Sequence, residues 1–330
     1  MSHGLTEKDA MAYSGEQPWH GLGFKVGNNL TPAQMAKAAK VDWLVEKRKM
    51  GFMNAGGTGF KVAPDKFALV RASDDAMLSV VGTTYRPVQN EVAFEFFKKY
   101  CEAGHMTMET GGSLWGGRYV WCLAKIGKDF NVGKGDKVEG YILLMSPHVH
   151  GKAMVLQTTA IRVVCWNTLT MAIGSDLKGK GKNTFRMPHT MEFNDTVKAQ
   201  AEVALGLAKD QMTQFQEASQ LLAKAKMSKD QSEKFFCQVL HFDPKKGTKK
   251  KDGSIREPLM LPKFRDALEK APGQQVSSAL GTAWGALNAV TYVIDHANGR
   301  ERDTALKNAW MGHTAGIKRR ALDMALDFAK

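Results

Sequence analysis

The stretch KVEGYILLMSPHVHGKAMVLQTTAIRVVCWNTLTMAIG, residues 137–174, constrains this chain more than any other. Val138, Tyr141, Leu143 and Leu144 form a β-rich apolar run that stops at Ser146-Pro147, and the extended pattern resumes from Val155 to Ile161. Such runs, bounded by turn formers, spell a strand, a tight turn at His148 to Lys152 and a second strand. From Arg162 the residues of RVVCWNTLTMAIG change to helical spacing, so a helix is expected to open on Arg162.

The rest of the chain fits around this hairpin. Thr31 as N-cap and Pro32 at the first helical position start a short helix in LTPAQMAKAA, and Trp43 to Met53 reads as a strand. NAGGTGFKVAPDKF lacks the Gly-Lys-Ser/Thr of a phosphate loop and reads as a loop or hairpin turn. FALVRASD and AMLSVVG alternate as a hairpin around Ser73 to Asp75. Asn90 is placed to cap a helix with Val92, Phe94, Phe97 and Cys101 near one apolar face. Met106 to Ile126 predicts another hairpin, whose almost wholly apolar strand RYVWCLAKI should be central. The fold class is therefore α+β: an antiparallel strand meander packed with helices over about 1–190, then a helical C-terminal region over 191–330. In that region Asn194 to Lys226 is a long helical stretch, Ser228 and Gln231 make a capping box, and helices are expected at Lys263 to Lys270, Gln274 to His296 and the last ~25 residues.

Charge carries the functional reading. Lys and Arg number 46 against 33 acids, a net +13, which favours a polyanionic partner, nucleic acid before membrane. Two segments concentrate it. SDLKGKGKNTFRMPHT, with Lys178, Lys180, Lys182 and Arg186 between glycines, should be a mobile basic loop. DPKKGTKKKDGSIREP, with Lys249, Lys250 and Lys251, should be a solvated loop at about 243–258. Arg118 and Lys152 fall near turns, and Trp115, Tyr119, Trp121 and Trp166 supply aromatic faces, although core is the better reading for Trp121 and Trp166.

No catalytic set emerges, so a non-enzyme is expected. His148 and His150 share one side of an extended segment, as metal ligands do, yet no close third ligand follows and Pro147 and Gly151 mark a turn. Asp295-His296 reads better as a helix-end histidine than as an acid–base pair. His20 beside Trp19 reads as packing, and no nucleophile elbow, zincin motif or dinucleotide fingerprint is present. Cys101, Cys122, Cys165 and Cys237 are widely spaced in apolar surroundings and read as reduced, buried thiols. No cofactor or metal is expected. No apolar run has the length of a membrane span or a signal-peptide core, so a cytoplasmic location is expected.

Three stretches together carry a resemblance: PWHGLG at 18–23, YRPVQNEVAF at 85–94 with IRVVCWNTL at 161–169, and GTAWGALNAVTYVIDH at 281–296. The chain resembles the phage/plasmid-like proteins of an uncharacterised, domain-of-unknown-function family. The resemblance implies a protein carried by bacteriophages, prophages or plasmids and acting in a bacterial cytoplasm; it brings no catalytic residues. The order of elements, a strand meander followed by a helix, is similar to the core of ring-forming single-strand DNA annealing proteins. The expected function is a DNA-recombination protein that binds single strands as a homo-oligomer and promotes annealing. Its phosphate contacts would come from Arg118, Lys152, Arg162, Lys178, Lys180, Lys182, Arg186, Lys249, Lys250 and Lys251, and a host replication or single-strand-binding protein is a further candidate partner. The alternatives are a non-enzymatic phage protein that binds a host factor, and a nucleic-acid enzyme working through metal on His148 and His150.

Overall fold

A computed structural model of the chain describes residues 9–15, 23–162, 167–170, 184–192, 194–206, 208–248, 255–297 and 313–330. The strands, in chain order, are β1 (Met11–Tyr13), β2 (Phe24–Lys25), β3 (Val45–Met53), β4 (Phe60–Arg71), β5 (Ala76–Val81), β6 (Thr107–Leu114), β7 (Tyr119–Lys125), β8 (Phe130–Gly133), β9 (Asp136–Pro147), β10 (Ala153–Arg162), β11 (Asn167–Thr170) and β12 (Thr184–Pro188). The helices are α1 (Pro32–Ala38), α2 (Asn90–Phe94), α3 (Lys98–Glu102), α4 (Asp195–Gly206), α5 (Ala208–Lys224), α6 (Lys229–Val239), α7 (Met260–Lys270), α8 (Ala283–Tyr292) and α9 (His313–Ala329). The architecture is α+β, with a mostly antiparallel sheet and helices following it from α4 onward.

The chain divides into two compact units. The first comprises Met1–Gly127, Tyr141–Thr158 and Asp176–Ala208. Within it the main sheet runs β12-β10-β9-β7-β6-β1-β2. As its composition demanded, β7 lies between β6 and β9, and Tyr119 to Ala124 are all buried. On β6, Gly111 lets Met35 of α1 and Phe94 of α2 press to 3.3 Å from where a side chain would begin. Thr31 caps α1 as expected, its hydroxyl accepting from the Gln34 amide while the Gln34 side chain accepts from Thr31 N. β3, β4 and β5 form a separate antiparallel sheet whose inner face buries Val45, Leu69, Leu78, Val81 and Tyr85.

The second unit comprises Lys128–Gly140, Thr159–Ser175 and Lys209–Lys330. It holds the hairpin of β8 with the start of β9, the pairing of β11 with the far end of β10, and the later helices. At its centre α8 is buried over Ala283 to Thr291, an all-round burial that obliges every polar group to find a partner. Thr282 caps it, accepting from Gly285 N at 3.1 Å, and Asn288 and Thr291 bond back to the carbonyls of Trp284 and Leu287. Trp284 Nε1 and the Ser278 hydroxyl both donate to the buried Asp136 carboxylate, at 2.9 and 2.5 Å. The GTAWGALNAVTYVIDH stretch is thus explained as core architecture. Ser228 and Gln231 close the expected capping box on α6.

Several expectations are corrected. The expected helix does not open on Arg162: Arg162 ends β10, and Asn167 to Thr170 pair antiparallel with Arg162 back to Thr159. β-Branched Thr168 and Thr170 suit the ladder offered by β10, and a short apolar run fits either period. Asn90 is not a cap but the first residue of α2, fully buried, and Gln89 stands at the N-cap with its side chain bonded to the Val45 backbone rather than to the helix. Val92 faces outward at 38 % exposure. Arg186 is not in a loop but in β12, opposite Val155. The helix expected from Gln274 begins only at Ala283, because Gly281 at φ 64° and the Thr282 cap set its start there. Asp295 forms a buried ion pair with Lys318 at 2.8 Å, so Asp295-His296 is not simply a helix-end histidine. Among the described residues no helix is long and apolar enough to cross a membrane.

Candidate nucleic-acid interface

Two turns of the first unit meet at one end of its main sheet. The β6–β7 turn takes Trp115, Gly116 and Gly117 through positive φ (52°, 68° and 86°). The Asp9 carboxylate holds it, accepting from Gly116 N, Gly117 N and the Ser113 hydroxyl at 2.7, 2.9 and 2.5 Å. The Arg118 carbonyl then accepts from His148 N at 2.7 Å, which ties this turn to the β9–β10 turn. That second turn closes through Lys152 N to the Val149 carbonyl, and Ala153 leads into β10 opposite Pro188 of β12. Arg186, opposite Val155, stands three residues along β10 from Lys152.

Arg118, Lys152 and Arg186 are consequently brought to the same end of the sheet, all exposed, and none forms an ion pair among the described residues. Positive charge left unneutralised at one place is what a phosphate backbone requires. For Arg162 the structure gives only a backbone position at the end of β10. Lys178, Lys180, Lys182, Lys249, Lys250 and Lys251, like Trp19, His20, Cys165 and Trp166, lie outside the described residues. The aromatic faces fare differently from the cations. Tyr119 and Trp121 are buried, and Trp115 packs edge-on against Tyr119 with ring centres 5.0 Å apart, so these rings serve the core.

Behind Lys152 lies a cavity of about 230 Å³, walled by Thr84, Tyr85, His150, Lys152, His189 and Thr190 with two glycines, an alanine and a proline between. Tyr85 and His189 stack at 4.8 Å with 16° between their planes. The Arg86 carbonyl faces His189 Nδ1 at 3.3 Å, and the Tyr85 hydroxyl is buried with no partner among the described residues. Burial pushes the Tyr85 hydroxyl pKa up and the His189 pKa down, so both groups are neutral near pH 7. His148, read from sequence as a turn residue, is fully buried, and its Nε2 donates to Asn90 Oδ1 at 2.7 Å. Burial, and secondarily the neighbouring His189, lower its pKa to about 3. His148 and the exposed His150 therefore occupy different environments, and among the described residues no group of three or more His, Cys, Asp or Glu could hold a metal ion.

Sequence reasoning missed the outer part of the β3–β4 hairpin. There Phe52, Met53, Phe60 and Val62 are 59, 57, 62 and 54 % exposed, beside the exposed Lys49 and Lys61. The signal was legible: cations and aromatics flank both sides of a Gly-rich turn in KRKMGFMNAGGTGFK.

No curated protein and no solved structure matches this chain. The family model described as a domain of unknown function, DUF932, matches residues 77–311, which takes in β5 to β12 and α2 to α8. The chain belongs to the DUF932 family.

Proposed function

We propose that this chain is a single-strand DNA-binding protein of a bacteriophage or plasmid, acting as a homo-oligomer in the bacterial cytoplasm to promote strand annealing. The observation that carries the reading is the placement of Arg118, Lys152 and Arg186, exposed and without ion pairs among the described residues, at one end of the first unit's sheet. The Lys178, Lys180 and Lys182 run leads into β12 immediately before Arg186, adding charge from the same stretch of chain. An electrostatic grip of this kind needs no catalytic residues and no base readout, which suits annealing of arbitrary sequence.

The test is the salt dependence of binding to a fluorescent oligo-dT, followed by anisotropy. Binding should be strong at ~50 mM salt and fall steeply with added salt. Changing Arg118, Lys152 and Arg186 together to Gln should reduce the log–log salt slope by about 2, at roughly 0.7 per lost single-strand phosphate contact. Absence of binding at ~50 mM salt would overturn the proposal. A host protein retained after nuclease treatment, with no DNA binding, would favour a host-factor-binding protein instead.

A further inference from the structure

We propose that the outer half of the β3–β4 hairpin, residues 50–62, is a finger on which the bases of a single strand stack. The inference rests on the single-strand reading above and deepens it by assigning the base contacts, which Arg118, Lys152 and Arg186 do not supply.

The finger is built to hold its shape. At its tip Asn54 N donates to the Gly59 carbonyl at 2.7 Å, and Asn54 Oδ1 accepts from Thr58 N and Gly59 N at 3.0 and 3.2 Å. Beyond a bulge in which Met50 of β3 is matched by Ala63 to Lys66 of β4, Gly51 pairs with Val62, Phe52 with Lys61, and Met53 with Phe60. Directly opposed residues share a face of the ribbon, so Phe52 and Lys61 project on one side and Met53, Phe60 and Val62 on the other. A side chain started at Gly51 would overlap the Lys61 carbonyl oxygen of the paired strand and meet the Phe60 ring at 2.7 Å, so the ring lies close over the bare glycine backbone. Phe60 is nonetheless 62 % exposed, so the ring is anchored on the ribbon and still open to solvent. An aromatic ring seated in advance loses little side-chain freedom on binding, the condition for stacking to contribute fully.

Charge selects the occupant. Residues 45–66 hold Lys47, Arg48, Lys49, Lys61 and Lys66 against Glu46 and Asp65. Lys47 is engaged by the Thr83 and Tyr85 carbonyls and Arg48 by Glu46 and Asp75, whereas Lys49, Lys61 and Lys66 are exposed and make no ion pair among the described residues. Aromatics open to solvent beside free lysines suit a single strand, which offers π-faces and phosphates together. A second copy of this chain fits less well. Antiparallel self-pairing along the β3 edge centred on Arg48 would set Lys47, Arg48 and Lys49 against the same cations, and opposed like charges destabilise a ladder.

The test separates stacking from charge. Wild type, Phe52→Ala, Phe60→Ala and Phe60→Tyr are titrated with oligo-dT and with an abasic strand of the same length, and each protein's mass in solution is measured. Wild type should prefer oligo-dT. Phe60→Ala and Phe52→Ala should each weaken oligo-dT binding, by roughly 5- to 150-fold per lost stacked base, with abasic binding and salt slope unchanged. Phe60→Tyr should retain the preference. If wild type binds DNA but the alanine variants bind oligo-dT equally well, the finger is refuted while the single-strand reading stands. If wild type binds neither strand, both fall. If the alanine variants change the mass and not the preference for bases, the hairpin packs on a second copy and the proposal is overturned.

Discussion

Gly285, in the first turn of α8, gives a test of the core in which two known effects oppose each other. Replacing a helical glycine by alanine ordinarily stabilises by up to ~1 kcal/mol. Here the new Cβ would lie 2.0 Å from the Ala279 carbonyl oxygen, where real Cβ contacts stay above 3.0 Å, and 3.1 Å from Gln274 Oε1. Relief demands a shift of roughly 1 Å in a fully buried helix, and forced overpacking of this kind costs about 1–3 kcal/mol. The same shift loosens the Thr282 cap, which accepts from Gly285 N at 3.1 Å, and a lost cap costs about 1 kcal/mol. The overlap wins. Gly285→Ala should destabilise by about 1–3 kcal/mol net, a fall in melting midpoint on the order of 2–5 °C for a chain of this length. Gly316 in α9 is the control, since a Cβ there meets nothing within 4 Å and its φ is not positive. Gly316→Ala should therefore stabilise, by up to ~1 kcal/mol. Urea titration followed by tryptophan fluorescence reads both. A Gly285→Ala protein as stable as wild type would refute the packing described around α8.

Two further outcomes are expected. His148 is held near pKa 3 in the folded chain against an ordinary 6.5, so the unfolded chain takes up the extra proton. Its contribution is therefore complete above about pH 6.5 and is lost as pH falls from there toward 3, by up to ~1.4 kcal/mol per pH unit; His189, also lowered, acts in the same direction. His148→Gln should flatten the fall in urea midpoint between about pH 6.5 and 5, and an unchanged slope would exclude His148 as its source. Lys318 and Asp295 are 3 and 6 % exposed, so Lys318→Ala should cost about 3–5 kcal/mol by taking the cation away from a buried carboxylate. The double change Lys318→Met with Asp295→Leu should recover most of that loss in the same denaturation assay.

Local chemistry was legible where neighbours in sequence decide the outcome. The Thr31 and Ser228 caps, the turn at His148 to Lys152 and the apolar strand of β7 all depend on residues within a few positions of each other. So does net charge. The sequence could not decide what depends on partners far along the chain. Asn90 has the composition of a cap, yet His148, 58 residues away, and the Trp43 carbonyl claim its side chain. The residues after Arg162 fit either period, and the ladder of β10 decided the strand. His148 looked like a turn residue and is buried.

The candidate interface divides in the same way. Sequence alone supplied Arg118, Lys152 and Arg186 as cations, but only pairing of β10 with β12, and of the two turns through Arg118 and His148, puts them at one end of a sheet. Likewise Phe52 reads as part of the strand Trp43 to Met53 and Phe60 as part of the loop NAGGTGFKVAPDKF, and neither reading gives its exposure. Only their tertiary setting, in a hairpin extending beyond β5 with no core to enter, leaves them exposed beside Lys49 and Lys61. Composition fixes how much charge and apolar surface a chain carries, because each residue brings its own. Where they face is a property of long-range pairing, in which the burial of one strand is set by its partner on another.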